Sequence, residues 1–297
     1  MAANELKALK DLNLVDRFLF DETMEIPELY QMTVSIILEN EIELLDSAQT
    51  EKELRVSPGL RSVRLDVVSM DVYGQIYYTE MQKTNTGNLI KRSRYYQSQM
   101  DVSLLEPGSV DFNLMNDTCL ILIAPFDIFG RGYYRYTFEG VCRECPDLKL
   151  EDGATRIFIN TNGTNRQNFS QEFLDFMEYI THTSDEIAEK TSSKRIKHMH
   201  KKIQEIRMSE ERGVKYMQKW EERVYDRLEG KAEGKAIRLV EQIQKKCAKG
   251  KSFSQIADEV EEEQESIREY YEAILSAPEK TAEEIVELLE ERANEVV

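Results

Sequence analysis

Residues 119–124, Cys-Leu-Ile-Leu-Ile-Ala, form an unbroken apolar run that ends at Pro125. Its length suits a strand, and a strand apolar on both sides belongs in a sheet covered on both faces. Helical patterns lie on either side of it. Residues 24–46 place Met24, Ile26, Leu29, Met32, Val34, Ile36, Ile37 and Leu38 at mixed three- and four-residue spacing, with Pro27 suited to a first turn. Residues 88–105 repeat the pattern through Leu89, Arg92, Tyr96 and Met100.

Between these helices the period changes to two. Residues 47–61 are polar and contain the turn signal Ser57-Pro58-Gly59. In residues 62–68, Val63, Leu65 and Val67 alternate with Arg64 and Asp66, which reads as a strand. Residues 75–82, Gln-Ile-Tyr-Tyr-Thr-Glu-Met-Gln, read as a second strand rich in Tyr and Thr. Val72-Tyr73-Gly74 between them suits a three-residue hairpin loop with Gly74 left-handed. Residues 133–138 and 154–160 are further strand candidates. From Ser170 onward the pattern is helical, over 170–182, 184–208, 209–248, 253–275 and 282–295. The chain therefore divides near residue 168, with mixed helix and sheet over 1–168 and an all-α extension over 169–297.

Charge narrows the partners. The 297 residues carry a net charge of −17. Residues 1–193 hold 18 basic and 32 acidic side chains, residues 194–250 hold 17 and 9, and residues 251–297 hold 4 and 15. A uniformly acidic chain would repel nucleic acid, and the basic stretch 194–250 leaves that partner open locally. On charge alone this stretch also reads as a solvated helix. Four cysteines in this length exclude a disulfide scaffold and point to a reducing, cytoplasmic setting. There is no 18-residue apolar run and no leader pattern, so neither a membrane span nor a secretory signal is expected.

The hairpin carries the chemistry. If residues 72–74 are the loop, Asp71 pairs with Gln75, and the same register sets Asp66 directly opposite Glu80 on one face. At about 5 Å and an effective dielectric near 20, two carboxylates repel by roughly 3 kcal/mol. A raised pKa, a nearby cation or a bound metal must offset that. Gln82 projects from the same face as Glu80. Two hard carboxylates and a polar neighbour suit Mg²⁺ with several waters retained. A solvated sheet face accommodates the same residues without function, and a one-residue slip would part the two acids.

Asn88-Leu-Ile-Lys91-Arg92-Ser93-Arg94-Tyr95-Tyr96-Gln97 then opens a helix with three basic side chains in an acidic domain. Lys91, Arg92 and Arg94 offer phosphate contacts and Tyr95 a stacking surface, although an exposed basic face paired with nearby acids fits too. The ordered set of Asn13-Leu-Val-Asp-Arg-Phe-Leu-Phe20, Arg64-Leu-Asp66, Thr79-Glu80-Met81-Gln82, Lys91-Arg-Ser-Arg-Tyr-Tyr96 and Ile123-Ala-Pro-Phe-Asp-Ile-Phe129 resembles the PD-(D/E)XK nuclease superfamily. The closer likeness is to its branch of recombination-promoting nucleases, or PD-(D/E)XK family putative transposases, over about residues 10–165. The resemblance implies a restriction-endonuclease-like α/β fold, a mixed sheet flanked by helices, and Mg²⁺- or Mn²⁺-dependent cleavage of DNA. Asp66 and Glu80 would be metal ligands, and Gln82 would orient the attacking water. Gln82 stands where the wider superfamily usually has Lys, and an amide cannot act as a base. Asp16 matches an Asp of the branch's opening motif, and helix N-capping accounts for it equally well.

Other signals are weaker. Cys142-x-x-Cys145 is at most half of a four-ligand zinc site. Glu229-Gly-Lys-Ala232 repeats as Glu233-Gly-Lys-Ala236, which suggests a hinge or a helix–helix contact. Trp220 reads as a packing residue. Residues 237–275 have helix-turn-helix spacing, with Ser252-x-x-Gln255 as a capping box. Glu261, Glu262, Glu263, Glu265 and Glu269 would face phosphates there, which favours a protein-packing hairpin. Thr281-x-x-Glu284 opens a last helix whose stripe, Ile285, Leu288, Leu289 and Val296, needs a partner in this chain or in a second copy. A homo-oligomer through the C-terminal helices is therefore expected.

Overall fold

The structure, a computed structural model, describes residues 6–45, 49–54, 63–105, 108 and 110–295. Two helices open the described chain, α1 (Arg17–Met24) and α2 (Pro27–Leu38). Strands β1 (Gln49–Leu54), β2 (Val63–Met70) and β3 (Ile76–Met81) follow, then α3 (Leu89–Leu104). Next come β4 (Thr118–Ala124), β5 (Arg135–Phe138) and β6 (Ala154–Asn160). The strands form one six-stranded sheet in the order β1-β2-β3-β4-β6-β5. β4 is parallel to both of its neighbours, β3 and β6, and the outer pairings are antiparallel. The sheet is mixed, as expected.

β4 is buried along its whole length, and its side chains part between two cores. Cys119, Ile121 and Ile123 join one core with Phe18 and Leu19 of α1, and with Leu29 and Val34 of α2. Leu120, Leu122 and Ala124 join the other with Leu89 and Met100 of α3, lined further by Phe126, Phe129 and Tyr136. The apolar run is thus a strand covered on both faces.

After Asn168 every regular element is a helix: α4 (Gln171–Thr181), α5 (Asp185–Lys190), α6 (Lys194–Met208), α7 (Glu210–Cys247), α8 (Phe253–Val260), α9 (Gln264–Ser276) and α10 (Ala282–Glu295). The secondary structure changes after Asn168, and the division by packing lies later. Two compact units divide at Met1–Tyr216 and Met217–Val297, within α7. The reason is burial. Phe173, Phe176 and Tyr179 of α4 and Ile196, Met199, Ile203 and Ile206 of α6 lie in the same core as the sheet. In the second unit Val240, Ile243, Ile256, Ile267, Ile274 and Ile285 form a core of their own. That core accounts for the helix-turn-helix spacing as a packing hairpin and gives the α10 stripe a partner within the chain.

Several boundaries differ from the sequence reading. The helix expected over 24–46 is shorter, Pro27–Leu38, because Pro27 requires extended backbone at Ile26 (φ −87°, ψ 109°) and Glu39 turns left-handed (φ 54°). The stretch 184–208 breaks at Thr191–Ser193, where Ser193 caps α6 by accepting from Ile196 N–H at 3.1 Å. The stretch 253–275 breaks at Glu261 (φ 59°). β1 was not anticipated, since Gln-Thr-Glu-Lys-Glu-Leu has no apolar alternation and an edge strand needs only its backbone pairing with β2. Ser57-Pro58-Gly59 and Val296 lie outside the described residues. Both capping boxes form. Cys142 and Cys145 are free thiols, Trp220 is half-buried, and a side chain at Gly230 or Gly234 would meet nothing within 4 Å.

Candidate active site on the β2–β3 hairpin

The hairpin closes as its sequence requires. Asp71 N–H donates to the Gln75 carbonyl (2.9 Å), and the Asp71 carboxylate accepts from the N–H groups of Tyr73 and Gln75, both at 2.9 Å. Gly74 takes φ 89°, where a β-carbon would be strained. From this turn the ladder runs Met70–Ile76, Ser69–Tyr77, Val68–Tyr78 and Val67–Thr79. One further step in that register reaches Asp66 and Glu80. There the Met81 N–H donates to Asp66 Oδ2 at 3.3 Å.

Asp66 and Glu80 are buried, at 1% and 7% exposure. The register sets the two acids across from each other, and the negative charge of Glu80 helps to hold the Asp66 carboxyl up. Each also has a fixed neutral donor. Asp66 has the Met81 amide, and Glu80 Oε2 accepts from the Tyr78 hydroxyl at 2.8 Å. Each then has a guanidinium. Arg17, at the start of α1, donates to Asp66 Oδ1. Arg92 Nη2 donates to Glu80 Oε1 at 2.5 Å and also to Gln82 Oε1, so Glu80, Gln82 and Arg92 meet at one point. Gln82 Nε2 donates to the Thr84 carbonyl at 2.8 Å. The Arg92 guanidinium lies 5.5 Å from the centre of the Tyr96 ring, which meets Tyr78 edge-on at 6.0 Å.

The repulsion inferred from the sequence is met in two ways at once. Burial pushes the Asp66 carboxyl up to about 7; Arg17 opposes the rise and Glu80 adds to it. Burial also raises Glu80, against the pull of Arg92 and the Tyr78 hydroxyl. Burial would lower Arg17, but Asp66 and Asp21 together hold it above its ordinary value.

The other candidates separate. Lys91 and Arg94 of α3 face solvent, while Arg92 turns inward and Tyr95 packs partly against the α3-side core. Asp16 occupies the N-cap position of α1 but makes no capping bond. Its carboxylate accepts instead from Asn13 N–H (2.8 Å), Lys7 (3.4 Å) and Lys83. Lys83, the residue after Gln82, thus goes to Asp16. Arg17 was missed by sequence reasoning. It lies 49 residues from Asp66, and no spacing rule connects an Arg opening one helix with an acid on a strand.

The family model for PD-(D/E)XK nuclease family transposases matches residues 29–233. The chain belongs to that family. The match takes in Asp66, Glu80, Gln82 and the basic start of α3, whereas Asp16 and Arg17 precede it. No curated protein and no solved structure matches the chain. The mixed sheet with flanking helices agrees with the PD-(D/E)XK nuclease fold, and nucleases of this kind generally use divalent metals.

The donor set fits such a metal. Two buried carboxylates from adjacent strands are hard oxygen ligands, and the Gln82 amide oxygen lies beside Glu80. Among the described residues no three His, Cys, Asp or Glu side chains converge to hold a metal ion. Two carboxylates, with water and substrate oxygens completing the shell, suit a hard divalent cation rather than a structural zinc. Among the described residues no helix is long and apolar enough to cross a membrane.

Proposed function

We propose that the chain is a divalent-metal-dependent DNA endonuclease that hydrolyses phosphodiester bonds in the service of recombination or element mobility. The observation that carries this is the burial of Asp66 and Glu80 together on one face of a hairpin within a chain of this family. Asp66 and Glu80 would hold Mg²⁺, or Mn²⁺ in its place. When bound, such a cation makes hydroxide available near neutral pH and stabilises the negative charge of phosphoryl transfer. The Tyr78 hydroxyl and the Met81 amide fix the two carboxylates before substrate arrives. Gln82 orients the attacking water by hydrogen bonding and takes no proton. Lys91 and Arg94, exposed on α3, meet the DNA backbone, and Tyr95 helps to set that helix on the sheet. We place this activity in the cytoplasm, with the DNA. We further propose self-association through the C-terminal helices, where Tyr225 and Leu228 remain exposed on α7.

The test is plasmid nicking by the purified chain with Mg²⁺ or Mn²⁺. Wild type should cut, and Asp66→Asn and Glu80→Gln should not; cleavage by both variants at the wild-type rate rejects the reading. A second reading, a nuclease-fold module that binds DNA without cutting, draws on one observation. Arg92 occupies the Gln82 Oε1 atom that would otherwise face the water. DNA binding with no cleavage in either metal selects it.

A further inference from the structure

We propose that Arg92 is a displaceable counter-ion: it neutralises Glu80 and hydrogen-bonds Gln82 Oε1 while no divalent cation is bound, and it gives way to that cation and passes to a phosphodiester oxygen of the DNA. This rests on the reading of Asp66 and Glu80 as metal ligands.

The way Arg92 is held is the first argument. A guanidinium offers five N–H donors and binds a carboxylate best as a two-pronged fork. Arg92 uses Nη2 alone for both Glu80 and Gln82, and its buried Nε has no hydrogen-bond partner. Each contact is single-pronged, and the fork a guanidinium can offer a carboxylate is not formed. The second argument is that Glu80 does not depend on it for position. Tyr78 donates to the other carboxylate oxygen, and the strand fixes the backbone on both sides through Thr79 and Met81. Arg92 therefore supplies charge, and a cation can supply the same charge.

The third argument contrasts the two arginines. Arg17 has a second acid at hand, with Nε 3.7 Å from Asp21 one helical turn away, so it is anchored from two sides. Arg92 has Glu80 as its one ion-pair partner among the described residues. When it leaves, the Tyr96 ring beneath it and the exposed Lys91 and Arg94 of the same helix give it a cationic surface on which DNA phosphate is the natural acceptor. Charge bookkeeping agrees. With their carboxylates ionised, Asp66, Glu80 and Asp21 outweigh Arg17 and Arg92 by one negative charge, and a divalent cation makes the site net positive, which attracts the backbone. Metal and DNA should then bind with positive coupling.

The experiment is Mn²⁺ titration of the full chain by calorimetry at pH 8 without DNA, in wild type, Arg92→Met and Arg92→Lys, with circular dichroism to confirm folding. Arg92→Met should bind Mn²⁺ at least about threefold more tightly, because a competing positive charge is gone, and Arg92→Lys should return toward wild type. A residue that merely held Glu80 in place would give the opposite sign, so unchanged or weaker Mn²⁺ binding by a folded Arg92→Met overturns the proposal. Should Arg92→Met not fold, Arg92→Gln carries the same prediction. Duplex DNA affinity, read by fluorescence anisotropy with and without Ca²⁺, is the second measurement. The gain on adding Ca²⁺ should shrink in Arg92→Met, and an undiminished gain also overturns the proposal. A wild-type chain that binds no Mn²⁺ overturns the metal-site reading and this proposal with it, whereas tight wild-type binding that is lost in Glu80→Gln upholds that reading whatever Arg92 does.

Discussion

The two faces of the sheet are built from the same strands and differ in what covers them. Cys119, Ile121 and Ile123 look toward α1, α2, α4 and α6, a thick layer rich in fully buried Phe, Tyr, Leu and Ile. Leu120, Leu122 and Ala124 look toward α3 and a loop of aromatic residues, a thinner layer. Asp66 and Glu80, one register step beyond the last hairpin pair, sit at the rim of that thinner cover with Arg92 of α3 upon them. The comparison teaches a division of labour. Burying two carboxylates is unfavourable, and the thick face supplies the apolar burial against which the thin face can hold them.

The largest effect tests the thick cover. A chain ended near residue 185 loses Ile196, Met199, Ile203 and Ile206, all fully buried. At about 2 kcal/mol for each buried side chain, that is on the order of the whole stability of a domain. Such a chain should show no cooperative thermal unfolding by circular dichroism. A chain ended at residue 216 should unfold cooperatively, and if both behave alike α6 is not part of the cover.

The next test compares single positions on the two faces. Ile121→Ala should cost about 3 kcal/mol by denaturant unfolding and leave the cleavage rate per folded molecule unchanged. Asp66→Asn and Glu80→Gln should do the reverse, lowering cleavage by at least about a hundredfold at little cost in stability. A loss of rate in Ile121→Ala as large as in Asp66→Asn would remove the distinction between the faces.

Much of this was legible beforehand for a physical reason. The unbroken apolar run fixed β4 as doubly covered, and Gly74 fixed the hairpin register, because a left-handed glycine allows few loop geometries. That register carried Asp66 to the level of Glu80 without further information. What stayed hidden depends on distance along the chain or on missing pattern. β1 has no apolar period, since an edge strand is held by its backbone. The helices α4 and α6 read as a separate extension because amphipathic spacing shows that a face is buried but not against what. Arg17 reaches Asp66 only through the folded placement of α1, and Asp16, an apparent cap, is taken by Lys83.

The pH dependence sharpens the thin face alone. Asp66 is held up to about 7 by burial, against an ordinary value of 3.8. Between those values the folded chain keeps a proton that the unfolded chain has released, so metal-free stability falls as pH rises from about 4 through 7. Asp66→Asn does not titrate and should lose that slope. Thermal melts in EDTA should show the wild type losing a few degrees more than Asp66→Asn between pH 5 and pH 8, at about 2–4 °C per kcal/mol for a chain of this size. Adding Mg²⁺ at pH 8 should recover the difference in the wild type only. Parallel slopes would mean that Arg17 keeps Asp66 ionised throughout.

The smallest expected effect lies where the two faces share a strand. On the thick side the Tyr30 hydroxyl of α2 meets Thr79 Oγ1 at 2.9 Å and the Tyr77 carbonyl at 3.2 Å, both on β3. Glu80 leaves the same strand on the other side. Tyr30→Phe removes one hydroxyl, leaves the Thr79 hydroxyl buried without that partner, and should cost about 1–2 kcal/mol. Pairing with β2 and β4 continues to hold β3 in place, so Glu80 should not move and cleavage should be unchanged at a temperature where the variant is folded. Reduced cleavage there, with Mn²⁺ affinity also reduced, would mean that β3 transmits strain from one face to the other and that the thick cover positions the carboxylates as well as stabilising the sheet.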